Sequence, residues 1–270
     1  MIAGFDGWGN ALGMAQAMLD HLMGLFPSQP IAQLDSDVFF SYDESRPRIE
    51  ISEGRLLNLD PPGGTFYLVT PDPGRPLILL KAHEPHLRWE LFARVLVDFA
   101  AHFKVETLIT LGSMYDSVLH TERVISALVA HDEMARRIQS DSIDLINYTG
   151  PSAVHTHIHA EAQERGLDAV SFWCHCPHYL QGAVHFGLLA RLGRILGQWG
   201  QFSFDSTELE KNSQELNRQI DSLVETNPKL AGVIAELKKL RLSKGRRHFT
   251  MPAALKKTKV IDITQFLEPK

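Results

Sequence analysis

Hydrophobic residues follow two different spacings along the first 200 positions of this chain. Residues 77–81 and 108–111 are short, nearly continuous apolar runs, which are typical of strands covered on both faces of a sheet. Elsewhere apolar residues recur every three or four positions, which predicts amphipathic helices. The predicted helices span residues 11–26, 87–103, 124–137, 153–165 and 183–199.

Shorter apolar segments between these helices predict further strands. They lie at residues 2–5, 31–34, 65–70, 143–148 and 169–173, with a β-hairpin at 48–52 and 55–59. Strands that alternate with helices form mainly parallel sheets with helices on both faces, so the fold class is α/β. Because no predicted helix separates the strands between residues 31 and 70, that part is expected to be antiparallel or mixed.

The composition of the chain changes after Gly200. A capping box at residues 205–208 and the pair Asn227-Pro228 predict two helix starts, and apolar residues recur at helical spacing as far as Leu240. We therefore predict three parts in this chain of 270 residues. They are an α/β domain at 1–200, a helical hairpin at 201–243, and a basic hinge with a C-terminal tail at 244–270 that contains the apolar segment 260–266.

Four predicted strands end in polar loops, at residues 6–8, 83–84, 112–116 and 174–178. The carboxyl ends of parallel strands meet at one edge of a sheet, where open α/β sheets hold ligands. We expect a ligand- or partner-binding pocket there. Its candidate residues are Asp6, Trp8, Asn10, Glu84, Arg88, Ser113, Asp116, His120, Arg123, His175 and His178. In the alternative interpretation, these loops only cap helices and turn the chain, and Glu84 pairs with Arg88 at a helix start.

Metal binding is a possible chemistry for the segment from Cys174 to His178. Its C-x-C-P-H spacing is not the C-x₂₋₄-C spacing with which two thiolates hold one zinc ion, so no metal site is predicted. We expect two buried thiols beside an exposed turn. His155 and His159 are four positions apart, but no third ligand is near in sequence, and they are expected at the surface.

Nucleophilic catalysis is a second possible chemistry. Ser113 follows a predicted strand and is near Asp116 and His120 in sequence. However, the residues around Ser113 do not form the G-x-S-x-G elbow of the α/β-hydrolases. No catalytic residue is assigned, and no cofactor is expected.

Composition excludes some other classes of function. The net charge of −5 gives no basic field for nucleic acid or for an anionic membrane. No apolar run approaches the roughly 20 residues of a membrane span, and the first ten residues lack the cationic region of a signal peptide. The only two cysteines are one residue apart and unsuited to a disulfide, so a reduced, cytoplasmic protein is expected.

Five segments carry a resemblance to a known family. They are F-D-G-W-G-N-A after the first strand, L-L-K-A-H-E-P-H-L-R-W-E at 79–90, T-L-G-S-M-Y-D-S-V-L-H-T-E-R at 110–123, Y-T-G-P-S at 148–152 and S-F-W-C-H-C-P-H-Y at 171–179. In this order they resemble the proteasome assembly chaperone 2 (PAC2) family, most closely its bacterial and archaeal members. The resemblance covers residues 1–240. Glu122 before Arg123 is a small departure from the family's H-T-R pattern.

The resemblance implies a three-layer α/β/α fold similar to that of nucleoside phosphorylases, with homo- or hetero-oligomers. For eukaryotic members it implies a chaperone role in proteasome assembly. We therefore expect a homo-oligomeric, protein-binding module of the assembly-chaperone type. The alternative is a phosphorylase- or hydrolase-like enzyme acting on a nucleoside or other small metabolite. Chaperones of this kind dock through a C-terminal hydrophobic–Tyr–any tripeptide, whereas this chain ends Glu268-Pro269-Lys270.

Overall fold

A computed structural model describes residues 1–243 of the chain, with side chains up to residue 239. The predicted basic hinge at 244–247 and the apolar tail segment at 260–266 lie outside the described residues. The architecture is built on one eight-stranded sheet, with a separate two-stranded hairpin. The strands in chain order are β1 (Ile2–Asp6), β2 (Ser28–Gln33), β3 (Arg48–Ser52), β4 (Arg55–Asp60), β5 (Gly64–Val69), β6 (Leu77–His83), β7 (Thr107–Asp116), β8 (Ile125–Val129), β9 (Asp144–Leu145) and β10 (Asp168–Pro177).

The large sheet has the strand order β2-β5-β6-β1-β7-β10-β8-β9. Its four central strands, β6, β1, β7 and β10, are parallel, whereas β5, β2 and β8 join by antiparallel pairing. This mixed, mostly parallel sheet confirms the predicted fold class. The hairpin predicted at residues 48–52 and 55–59 is also confirmed, as β3 and β4.

Eight α-helices accompany the strands in the described part of the chain. They are α1 (Met14–Leu25), α2 (Ser36–Phe39), α3 (Trp89–His102), α4 (Asp132–Ser140), α5 (Val154–Glu164), α6 (Phe186–Gly200), α7 (Thr207–Thr226) and α8 (Pro228–Ser243). No helix of residues 1–243 is both long enough and apolar enough to cross a membrane.

Two hydrophobic cores cover the two faces of the sheet. Because side chains alternate between faces along a strand, Ile2 of β1 points into the core beneath α1, α4 and α6, while Ala3 points into the core beneath α3 and α5. Leu79 and Leu80 of β6 divide in the same way. The result is the three-layer arrangement that the family resemblance implied.

The C-terminal helices form a third apolar cluster against the carboxyl edge of the sheet. Leu216 and Ile220 of α7 and Leu230 of α8 pack with Tyr179 and Leu180, which follow β10. Helices α7 and α8 thus confirm the predicted helical hairpin, and they cover part of the edge that was expected to hold the site.

Strands β7 and β10 are longer than the sequence predicted. Residues 112–116 continue β7 instead of forming a polar loop, and they pair with residues 173–177 of β10. Gly112 is needed here for packing: a Cβ at this position would lie 2.8 Å from the ring of Trp173, its register partner. The expectation that the chain breaks at Gly112 is therefore wrong, because the glycine lets the Trp173 ring lie against the strand.

Two further predictions around these strands are wrong. The helix predicted at residues 124–137 is instead strand β8 followed by α4, since Ile125 and Ala127 alternate into the core while β8 pairs with β10. The strand predicted at 143–148 is reduced to Asp144–Leu145, which pairs with β8 at the edge of the sheet.

Candidate functional site at the carboxyl edge of the sheet

A surface cavity of about 540 Å³ lies where β1 and β6 end. Asp6, Trp8 and Glu84 line it, together with Glu44 and Trp89. Trp8 is 62% exposed, which is unusual for so large an apolar side chain. A second cavity of about 630 Å³ shares Asp6 and His83 with the first. We call the first cavity the Trp8 cavity, and Trp8 with the other residues that line it the Trp8 surface.

Glu84 holds three elements together at this cavity. One carboxylate oxygen accepts a hydrogen bond from the backbone N–H of Trp8 at 3.0 Å, and the other accepts one from Val154, the first residue of α5, at 2.9 Å. A carboxylate at a helix N-terminus satisfies a free N–H and interacts favourably with the helix dipole. Glu84 and Arg88 both belong to the described residues, and no ion pair joins them. The alternative interpretation, in which these two residues pair at a helix start, is therefore wrong.

Asn10 and Ser113 hold the turn that follows β1. The Asn10 side chain accepts a hydrogen bond from the Ala15 N–H at 2.9 Å and donates one to Asp6 at 3.2 Å. The Ser113 hydroxyl donates to the carbonyl of Ala11 at 2.8 Å, and it is almost wholly buried. Ser113 therefore fixes the turn to β7, and its buried hydroxyl is not accessible as a nucleophile.

His175 joins the ends of three neighbouring strands. Its Nδ1 lies 2.9 Å from an Asp116 carboxylate oxygen on β7, and its Nε2 lies 2.8 Å from the Ser126 hydroxyl on β8. These contacts have the connectivity of a Ser–His–Asp triad, yet His175 and Ser126 are each only 2% exposed. Neither lines either of the two cavities. A nucleophile that a substrate cannot reach does not act in catalysis, so we interpret this network as a cross-link between strands.

His120 lies beneath the C-terminal helices. Its Nδ1 is 2.8 Å from the Tyr179 hydroxyl, which also accepts a hydrogen bond from the His120 N–H at 2.7 Å. Burial lowers the pKa of His120 and raises the pKa of Tyr179 well above its usual value. His185 lies directly before α6, and its burial lowers the pKa of His185 to about 4. Both histidines are therefore neutral at physiological pH.

Arg123 attaches α7 to the sheet. Its two terminal nitrogens donate to the two carboxylate oxygens of Glu210 at 2.6 Å each, and Arg194 of α6 donates to one of the same oxygens at 2.7 Å. These hydrogen bonds, that from Arg123 above all, lower the pKa of Glu210 to about 2. This is a structural ion-pair network, which planar arginine side chains favour.

Arg88 and His178 complete the predicted set. Arg88 is exposed and has a left-handed backbone conformation, with φ of 55°, just before α3 begins. The His178 ring stacks on Tyr115, with centroids 5.3 Å apart, and burial lowers its pKa. Apart from Arg88, which lines neither cavity, the predicted residues therefore separate into three places: the surroundings of the Trp8 cavity, the His175 network, and the surface beneath α7 and α8.

The described residues contain no group of three or more His, Cys, Asp or Glu side chains placed to hold a metal ion. Cys174 and Cys176 are free thiols, and both are buried, as predicted. The exposed turn expected beside them is wrong, because β10 continues to Pro177 and buries His175. His155 and His159 are not surface residues either, since they lie on the buried face of α5, where the His155 Nε2 lies 2.9 Å from the Leu111 carbonyl oxygen.

Several residues with roles in these networks were not predicted from the sequence, among them Ser126, His185 and Glu210. Ser126 lies within the helix predicted at residues 124–137, and only the alternation of Ile125, Ala127 and Val129 indicates a strand. Glu210 belongs to the first turn of α7 and is 87 residues from Arg123, so no local pattern connects them. The contacts of Ser126 and Glu210 depend on tertiary pairing, which sequence spacing does not encode, whereas His185 accepts a local hydrogen bond from the Leu188 N–H.

This geometry defines a class of protein, the three-layer α/β proteins. Most polar residues at the carboxyl edge of its sheet make structural contacts within the chain, and the Trp8 surface is exposed beside them. The sequence model of the PAC2 family matches residues 1–224, and the chain belongs to the PAC2 family. The family identification made from the sequence motifs is thereby confirmed.

Solved structures agree with this fold. The chain is similar to a protein of unknown function from Corynebacterium glutamicum, with 21% identity, a TM-score of 0.79, and 90% of each chain covered. It is similar to a proteasome-assembly chaperone homologue from Mycobacterium tuberculosis, with 23% identity, a TM-score of 0.78, and 86% of this chain and 98% of that chain covered. An archaeal proteasome activator from Pyrococcus furiosus has 17% identity and a TM-score of 0.60, over 82% of this chain and 91% of that one. A comparison with curated protein sequences found no match.

Proposed function

We propose that this chain is a protein-binding module of the assembly-chaperone type, which acts as a homo-oligomer and presents the Trp8 surface to a protein partner. The observation that carries this proposal is the contrast between Trp8 and its neighbours. The Glu84 carboxylate and the Asn10 amide are already engaged within the chain, whereas the Trp8 side chain is 62% exposed at the rim of a cavity.

Exposed tryptophans beside pockets are frequent hot spots of protein interfaces, since they bury a large area with few rotatable bonds. Asp6, Glu44 and Glu84 line the same cavity, which favours a partner segment carrying Lys or Arg. Two similar structures support a protein partner: one is a proteasome-assembly chaperone homologue and the other is an archaeal proteasome activator. The two buried, free cysteines support a cytoplasmic location for this activity.

The enzyme alternative has less support. The Ser126–His175–Asp116 network is the arrangement closest to a catalytic one, but its hydroxyl and imidazole are buried and face neither cavity. A binding surface can be specific without the groups that stabilise a transition state. We therefore propose binding, and not turnover, as the function.

The test is binding of purified proteasome subunits, both unassembled and as complete particles, to immobilised wild-type chain and to a Trp8→Ala variant. The backbone hydrogen bond from Trp8 to Glu84 persists in this variant, so it should fold normally and lose at least tenfold in affinity. Phe103→Ala is the matched control, because Phe103 is an aromatic residue that is 47% exposed at the opposite end of α3. Equal loss in both variants, or no binding by the wild type, would reject the proposal.

A further inference from the structure

Positive charge is concentrated in one segment of this chain. Residues 244–259 contain six of the 27 Lys and Arg residues and none of the 32 Asp and Glu residues. The whole chain has a net charge of −5, so without these six positive charges the remaining residues carry −11. We call residues 244–259 the basic segment. It follows helix α8 and lies outside the described residues.

The Trp8 cavity has the opposite charge. Its carboxylates are those of Asp6, Glu44 and Glu84, and among the described residues no Lys or Arg lines it. None of these three carboxylates forms an ion pair with another described residue. The indole rings of Trp8 and Trp89 line the cavity as well, and Trp89 is held by a hydrogen bond from its indole N–H to the Pro85 carbonyl oxygen at 2.6 Å. Carboxylates and indole faces bind Lys and Arg side chains, by charge attraction and by cation–π contact.

We propose that the basic segment binds the Trp8 cavity of its own chain. The cavity offers three carboxylates without a cationic partner in the described part of the chain, and the basic segment carries six cations without an anion between them. Such charge complementarity directs association between protein surfaces. Covalent attachment adds to it, because a tethered segment has an effective concentration on the order of 1 mM, so a few contacts are enough for occupancy.

Helix α8, which precedes the basic segment, lies at the edge of the sheet that carries the Trp8 cavity. Leu237, in the last two turns of α8, packs against the apolar cluster around Tyr179. Leu12, four residues after Trp8, packs against the same cluster. A segment of 16 residues can span about 50 Å, which is comparable with the ~50 Å diameter of a compact chain of this length. The Trp8 cavity is therefore within reach of the basic segment.

This inference deepens the proposed function, and one consequence rests on that function. A partner segment that carries Lys or Arg would compete with the basic segment for the same carboxylates. The basic segment would then act as an internal inhibitor, because a partner binds only the fraction of molecules whose cavity is open. Removing its positive charge should increase the affinity for a partner at least threefold.

The first experiment uses the four tryptophans of the whole chain as reporters, since their indole N–H groups give four signals in a proton–nitrogen NMR spectrum. Two variants each remove three cations from the basic segment. One carries Lys244→Gln, Arg246→Gln and Arg247→Gln, and the other carries Lys256→Gln, Lys257→Gln and Lys259→Gln. The matched control removes three exposed cations from α7 and α8, through Lys211→Gln, Lys229→Gln and Lys239→Gln.

At least one variant of the basic segment should shift the signals of Trp8 and Trp89, which line the cavity. The signals of Trp173 and Trp199, which do not line it, should stay in place. The control should shift none of the four. Unchanged Trp8 and Trp89 signals in both variants of the basic segment, or equal shifts in the control, would overturn the inference.

Cysteine cross-linking distinguishes binding within one chain from binding between copies. The two native cysteines are buried, so introduced thiols are the accessible ones. Under mild oxidation, Ser45→Cys in the cavity and Thr250→Cys in the basic segment should form a disulfide within the monomer. The rate should be at least tenfold that of a control pair, Phe103→Cys with Thr250→Cys, because Phe103 is exposed at the opposite end of α3. Equal rates would reject the inference, and so would disulfide-linked dimers, which would mean that the basic segment occupies the cavity of another copy.

Neither measurement uses a partner protein. A failure of proteasome subunits to bind would therefore reject the proposed function alone, whereas unchanged tryptophan signals would reject this inference alone.

Discussion

Arg123 and Glu210 form a bidentate ion pair, in which the two terminal nitrogens of the arginine donate to the two carboxylate oxygens at 2.6 Å each. The pair connects the segment after β7 with the first turn of α7, across 87 residues of sequence. A third group, Arg194 of α6, donates to the same carboxylate. The C-terminal helices are therefore attached to the sheet by charge-assisted hydrogen bonds as well as by the apolar cluster around Tyr179.

We expect a Glu210→Gln variant to loosen this attachment. The substitution removes the negative charge that faces Arg123 and Arg194, and it should lower the free energy of unfolding by roughly 1–2 kcal/mol, a modest value because the pair is partly exposed. Hydrogen exchange should become faster in α7 and α8 than in β7. The control is Glu208→Gln, which makes the same change in the same helical turn. If the two variants exchange alike, the ion pair does not hold the helices.

The pKa of Glu210 adds a pH signature to this prediction. Its pKa falls from 4.5 to about 2 on folding, mainly because of the hydrogen bonds from Arg123. Since the folded-state pKa is depressed, the stabilisation is complete above pH 4.5 and is lost as the pH falls towards 2. The difference in stability between wild type and Glu210→Gln should therefore shrink over that interval, as measured by urea unfolding at several pH values.

His185 should make the protein less stable in mild acid. Burial lowers its pKa to about 4, so between pH 6.5 and 4 the unfolded chain binds a proton that the folded chain does not. Stability therefore falls as the pH falls through this window. The His185 ring accepts a hydrogen bond from the Leu188 N–H at the start of α6, and asparagine is a good residue for the same capping role.

We expect His185→Asn to reduce the loss of melting temperature between pH 7 and pH 5. His102→Asn, which removes an exposed imidazole from α3, controls for the loss of one histidine. His120 also has a pKa lowered by burial, so part of the pH dependence should remain. An identical pH profile in wild type and His185→Asn would contradict the assignment of this histidine as a buried neutral group.

Much of the fold followed from hydrophobic spacing. The apolar run at 77–81 and the three- to four-residue repeats of α3, α5 and α6 are strong signals, because burial on two faces or on one helical stripe leaves little freedom in residue choice. The signal failed where pairing between distant strands decides the structure. Gly112 and the polar residues after it are typical of a turn, but their pairing with β10 extends β7 as far as Asp116.

The candidate site was harder to predict, and for a physical reason. Sequence position showed that Glu84, Asp116 and His175 lie near strand ends, which is correct. It could not show which side chains would face a cavity and which would bond to one another. The Asp116–His175–Ser126 contacts depend on the lateral order β7-β10-β8, and that order is set by tertiary packing.

Ser126→Ala should affect stability and not chemistry. The His175 Nε2 would lose its hydroxyl partner in a buried position, which should lower the free energy of unfolding by about 1–3 kcal/mol. Any hydrolysis of activated esters by the purified wild type should persist unchanged in the variant. Ser203→Ala, at an exposed serine, is the control for stability. If Ser126→Ala instead abolished a measurable esterase activity with a normal melting temperature, the buried network would be catalytic.

The glycines of α6 and α8 provide a paired test of packing between the helices and the rest of the chain. A Cβ on Gly193 of α6 would lie 2.0 Å from the ring of Phe204, whereas a Cβ on Gly232 of α8 would meet no atom of the described residues within 4 Å. The same substitution should therefore have opposite effects at the two positions. Gly193→Ala forces Phe204 out of its place and should destabilise the protein by roughly 1–3 kcal/mol. Gly232→Ala removes backbone freedom from the unfolded chain at an exposed helical position and should stabilise the protein by about 0.5–1 kcal/mol.

Thermal unfolding would show a lower midpoint for Gly193→Ala and an equal or higher midpoint for Gly232→Ala. A decrease of similar size in both would mean that α8 packs against neighbours at Gly232, contrary to the open space found there.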